Sequence, residues 1–150
     1  FPGTGMTNTI KDVAASKKME MPVNEDLQMG VTTGMAMNGT VPVSIFPRWN
    51  FLILAANQIV NHLDKISLMS EGGYTPKVII RTAIGAQRPL NPQHQHVGDF
   101  TGGFRAMCDT LEVIRLDEPN QIFESYCRAY ERNDGKSTIL VEWGDFYNEK

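Results

Sequence analysis

The sequence predicts an α/β fold, a parallel sheet flanked by helices. Three features lead to it. Short apolar, β-rich runs alternate with longer helical stretches along the chain. The run Lys77-Val78-Ile79-Ile80-Arg81 is continuously apolar at its centre, as a strand covered on both faces requires. Asn133-Asp134-Gly135 stops a helical stretch just ahead of a further β-rich run.

Taken in order, Val41-Pro42-Val43-Ser44-Ile45-Phe46 reads as a strand. Residues 50–66 follow as a helix that is apolar on nearly every side in its first turns and so belongs inside the fold. Strands are expected at 77–81, 112–116 and 137–142. Pro119 sits where a first helical turn tolerates it, and that helix should run to about Arg132. In such sheets ligands meet the loops beyond the carboxyl ends of the strands. The loop 82–98, with Gly85, Pro89 and Pro92, follows a strand end and is long for a connection, which marks it as functional.

At 150 residues the chain amounts to one domain, 1–150. A net charge of -3, with no stretch that interleaves Lys/Arg and aromatics, argues against nucleic acid as a partner. No apolar run nears the roughly 20 residues that span a bilayer, so no membrane is expected. Cys108 and Cys127 have neither CxxC nor Cys/His spacing; they read as free buried thiols and suit a cytoplasmic location. The opening Phe1-Pro2-Gly3-Thr4-Gly5 reads like the middle of a loop, and the expectation is a processed or truncated product lacking its first strand or helix.

The most informative segment runs from Glu25 to Gly39. Gly30 and Gly34 are four apart and share one helical face. Each costs about 1 kcal/mol relative to Ala in a helix interior, so something should approach that face closely, either within the fold or from another helix. Glu25 stands at the start of this helix, where the dipole favours a carboxylate. Read alone, it is an exposed acid or a cap.

Here a resemblance enters. Pro22-Val23-Asn24-Glu25, then Gly30, Gly34, Gly39 and Pro42-Val43, resembles the pattern around the catalytic glutamate of the pyrimidine-binding domain in the thiamine-diphosphate-dependent, transketolase-like family. The pattern is most similar to that of beta subunits of 2-oxo-acid (pyruvate and branched-chain) dehydrogenases. Trp49-Asn50-Phe51 and the stretch to Asn61 resemble the family's aromatic segment and following helix, and Met69-Ser70-Glu71-Gly72-Gly73 its small-residue turn. Gln93-His94-Gln95-His96 falls where the family carries Gln-His-Ser-Gln, and Val141-Glu142-Trp143 resembles the end of the domain.

The resemblance implies roles for three residues. Glu25 would hydrogen-bond the coenzyme's pyrimidine nitrogen and shuttle a proton there, a task suited to a carboxylate within reach. Phe51 would stack on the pyrimidine ring; without the resemblance it is a plain core aromatic, and neighbouring Trp49 is an alternative cover for the pocket. His94 would be the active-site histidine that assists intermediates or acyl transfer, against the bland reading of a surface-loop histidine. His96 stands where the family does not usually have histidine, so the two histidines either act together or change the local chemistry. No third ligand with sensible spacing makes them a metal site. Leu54, Asn57 and the segment 86–91 also depart from the family pattern and leave substrate identity open.

Such enzymes grip the coenzyme's diphosphate through Mg²⁺, with a Gly-Asp-Gly signature followed later by Asn. Neither Gly98-Asp99-Phe100 nor Gly144-Asp145-Phe146 completes it. The expectation is therefore an enzyme subunit that binds the pyrimidine end of thiamine diphosphate and is active only in a hetero-oligomer. The partner would carry GDG…N and hold Mg²⁺, and the pair would decarboxylate or dehydrogenate a small 2-oxo acid or transfer a two-carbon unit. The competing reading is a non-catalytic regulatory or assembly domain derived from the same fold.

Overall fold

The computed structural model describes residues 5–85 and 91–148. Residues 1–4, where a missing first strand was expected, and residues 86–90 of the departing segment lie outside the described residues. Along the chain, α1 (Gly5–Asn8) and a 3-10 turn precede α2 (Glu25–Met37) and β1 (Val43–Ile45). A helical stretch opens with α3 (Trp49–Leu52), continues through 3-10 (Ile53–Ala55) and π-helical (Gln58–Leu63) turns, and ends in α4 (Ile66–Met69). Then come β2 (Ile79–Ile84), α5 (Thr101–Met107), β3 (Glu112–Arg115), α6 (Gln121–Glu131), β4 (Thr138–Trp143) and a final 3-10 turn.

The four strands form one all-parallel sheet in the order β1-β2-β4-β3. Parallel neighbours need crossover connections, and the helical stretches between strands provide them. β2 is buried along its whole length and β4 along all but Trp143, as central strands covered on both faces must be. Because side chains alternate, Ile80, Ile84, Ile139 and Val141 meet α2, the 49–63 stretch and α5 on one face. Ile79 and Leu140 meet Ala129 and Ile122 of α6 on the other.

The expected α/β class, strand set and parallel arrangement are all present, with shifts at the edges. The strand expected at 77–81 starts and ends later, because Arg81 does not terminate it. The residue is 8% exposed, and its guanidinium pairs within the sheet with Glu142 of β4. The helix expected at 50–66 changes its winding twice, so its register with the core differs from that of a uniform α-helix. α5 was not expected: it is short and carries Gly102-Gly103, which weaken any helical signal. Asp99, just ahead of the helix, forms a local side-chain turn by accepting the Thr101 N–H at 2.9 Å.

One buried acid ties the helical layer to β3. Asp64 is fully buried and accepts backbone N–H groups of Asp109, Thr110 and Leu111 at 2.9, 2.8 and 2.7 Å, plus the Lys65 ammonium at 2.8 Å. Burial alone would raise its carboxyl, but these donors hold it at about 2. A depressed carboxyl stabilises fully above the unfolded value of about 3.9, and the contribution is lost as pH falls toward 2. Asp64→Asn is expected to lower stability at pH 7 by about 1–3 kcal/mol. It should also flatten the stability loss across that acid window, read by urea denaturation at stepped pH. An unchanged acid limb in the variant would show that Asp64 does not set it.

Candidate functional site

The expected site residues lie on elements that meet at the carboxyl edge of the sheet. α2 begins there: Asn24 caps it by accepting the Leu27 N–H at 2.9 Å, which leaves Glu25 in the first turn, half-buried. One turn on, the Gln28 amide donates to the Ile45 carbonyl at 3.1 Å and to Ser44 Oγ at 3.0 Å, anchoring the start of α2 to the end of β1. Glu25 thus sits at the positive end of a 13-residue helix directed at the strand ends.

The segment after β1 supplies the second part. Arg48 Nη1 donates to the carbonyls of Gly85 at 3.1 Å and His96 at 2.9 Å, joining the ends of β1 and β2 to the loop beyond them. Burial lowers the Arg48 guanidinium pKa, and the nearby Asp145 carboxylate opposes this. Gly85 adopts φ +69°, and a Cβ there would lie 2.5 Å from Asp145 Oδ2, so this turn admits only glycine without rearrangement.

Phe51 is half-buried, and its ring stacks on His96, with centroids 5.1 Å apart and planes at 28°. The structure therefore brings His96 to Phe51, while His94 lies exposed on the same loop. Gln93, just ahead, holds φ +55°, an uncommon value for a non-glycine; the Asn91 side chain supports the turn by accepting the Gln93 N–H at 2.8 Å. Trp49 does not cover the pocket: it is fully buried against Phe104, 4.9 Å between centroids, and belongs to the core.

Two of the buried side-chain atoms without a hydrogen-bond partner, Asn50 Oδ1 and His96 Nδ1, flank Phe51 in sequence and in space respectively. A half-buried aromatic ring stacked on a histidine with an unsatisfied nitrogen fits a flat heterocycle with polar edges. Among the described residues no group of three or more His, Cys, Asp or Glu is placed to hold a metal. A separate cleft of about 240 Å³ lies over β3 and β4, lined by Leu116, Pro119, Ile122, Trp143 and Phe146, and holds none of the expected site residues. Arg48, Asn50 and Asp145 were missed in the sequence. The only cue was position, since Arg48 and Asn50 come directly after a strand end.

No family model matches the chain. Similarity to known proteins is direct, however. Over 95 residues it is 33% identical to the pyruvate dehydrogenase E1 component subunit beta, mitochondrial, of Ascaris suum, covering 63% of this chain and 26% of that protein. Over 104 residues it is 30% identical to the same-named protein of Drosophila melanogaster, covering 69% and 28%. The chain is a partial homologue of E1 beta subunits. A chloroplastic E1 beta subunit of Arabidopsis thaliana is 36% identical over 76 residues, covering 51% of this chain and 19% of its own length. This E1 beta homologue thus spans about a quarter of the length of the curated relatives first matched. Its helix-flanked parallel sheet is consistent with a pyrimidine-binding domain of the transketolase-like kind.

Proposed function

We propose that this chain binds the pyrimidine end of thiamine diphosphate and works as a subunit of an enzyme acting on a 2-oxo acid. The observation that supports the reading is that α2, which starts with Glu25, is tied to the end of β1, and the segment after β1 carries Phe51 with the orphaned His96 Nδ1 on the ring stacked against it. The relatives' name, pyruvate dehydrogenase, supports a 2-oxo acid as substrate. In this reading Glu25 would hold and return a proton at the pyrimidine nitrogen, Phe51 would fix the ring plane, and His94, which is exposed, would assist at the substrate. When bound, the coenzyme would supply a thiazolium carbon that becomes nucleophilic once its proton is lost.

The 150 residues contain no Gly-Asp-Gly. In this proposal a partner chain carrying GDG…N holds the diphosphate and Mg²⁺. Gly34 supports a contact of this kind: it is exposed, and a Cβ built there meets nothing within 4 Å, so no packing among the described residues accounts for glycine there. Leu27 and Met35 are exposed on the same helix, as are Ile53 and Leu54 on the neighbouring stretch. Cys108 and Cys127 are free thiols, which suits the cytoplasm as a reducing location.

The test is to co-produce the chain with the GDG…N partner and measure coenzyme binding and consumption of 2-oxo acids. The reading expects Mg²⁺-dependent thiamine diphosphate binding by the pair and carbon dioxide release. Binding without turnover would favour a non-catalytic role, and no binding would remove the proposal. Phe51→Leu is expected to weaken coenzyme binding about three- to tenfold, the worth of a stacked ring beyond its buried area. An unchanged Kd by calorimetry would take Phe51 out of the site.

A further inference from the structure

The histidine at Phe51 is not the one that the family resemblance singles out. His96 stacks on Phe51 at 5.1 Å, its carbonyl is held by Arg48 at 2.9 Å, and its Nδ1 is buried without a partner. The three facts are independent, and together they describe a positioned side chain. The stack fixes the ring plane, and the Arg48 bond fixes the backbone that carries it. The orphaned nitrogen is a hydrogen-bonding group with nothing in the described protein to satisfy it, a state that burial makes unfavourable. Asn50 Oδ1, beside Phe51 in the chain, is orphaned in the same way. An unsatisfied nitrogen on the ring stacked against half-buried Phe51 marks a place where a ligand's own polar edge completes the bonding.

We propose that His96 is a ligand-positioning residue of this site: it backs Phe51 through the ring stack, and its Nδ1 hydrogen-bonds the polar edge of the heterocycle that Phe51 receives. This rests on the reading of the site as the pyrimidine end of a thiamine diphosphate site. It adds a contact specific to this chain, one that accounts for a histidine at position 96 as well as at 94.

The experiment uses the chain assembled with its diphosphate-binding partner, titrated with thiamine diphosphate and Mg²⁺ by calorimetry. His96→Phe keeps an aromatic ring against Phe51 and removes only the nitrogen; it is expected to raise the coenzyme Kd about tenfold. His96→Asn restores a polar atom near the Nδ1 position and should recover part of that loss. Gln95→Ala, on the exposed side of the same loop, should leave the Kd unchanged, and thermal melts check that each variant folds. An unchanged Kd for His96→Phe, in an assembly whose wild type binds, overturns the role of His96 alone. A wild-type assembly that binds no thiamine diphosphate overturns the underlying site reading and this contact with it.

Discussion

Glu25→Gln is expected to lower turnover of the assembled enzyme about 10²–10⁴-fold, the usual share of a positioned proton-transfer group. The substitution preserves size and hydrogen-bonding capacity while removing the ability to give up and regain a proton. Structural loss should be small. Glu25 is half-buried, and removing a carboxylate from the first turn of a helix costs about 0.3–1 kcal/mol. Coenzyme Kd should therefore change much less than kcat, and the melting temperature should barely move. Steady-state kinetics beside calorimetry separates the two effects. A variant with turnover within twofold of wild type would end the assignment of Glu25 as the proton-handling residue and leave only a helix-start acid.

The largest stability effect is expected at Glu142. Its carboxylate accepts from Arg81 Nε at 3.0 Å and Arg81 Nη2 at 2.8 Å, from the Tyr126 hydroxyl at 2.6 Å, and from the Tyr147 hydroxyl. Arg81 also donates through Nη1 to Thr9 Oγ1 at 2.7 Å, linking the N-terminal segment to the sheet. Burial would lower the Arg81 pKa, but the bonds to Glu142 more than reverse this and keep it charged. Burial, and then the Glu142 charge, push both phenols well above their usual range. Glu142→Leu strands a buried guanidinium and two hydroxyls. It should cost about 3–5 kcal/mol, or roughly 6–20 °C in Tm for a domain of this size. The double variant Arg81→Met/Glu142→Leu removes the charge along with its partner and should recover most of the loss, since a buried pair seldom outweighs an apolar replacement. If the double variant melts as low as the single one, the pair stabilises by more than mutual neutralisation, and the desolvation argument fails here.

These two cases show unequal legibility. Glu25 at a helix start was legible in the chain alone because its neighbours in sequence, Pro22 to Asn24 and the spaced glycines after it, carry the pattern within one helix and its entry. The Arg81–Glu142 pair could not, because it joins residues 61 apart that meet only through strand register. An isolated arginine at the end of an apolar run reads as a strand terminus, and only the partner strand shows that it lies inside. The same limit applied to the histidines. Positions 94 and 96 look alike on a loop, and it is the Phe51 ring and the Arg48 guanidinium, both brought from beyond β1, that single out His96.

The order of apolar and helical runs determined by itself the α/β class, the parallel strands and the place of Glu25 at a helix start, since each follows from periodicity and local capping over a few residues. Tertiary structure alone decided which strand pairs with which, where Arg81 finds its counter-charge, and which aromatic and histidine meet. Those outcomes depend on contacts between distant segments, whose energies do not exist until the sheet has assembled.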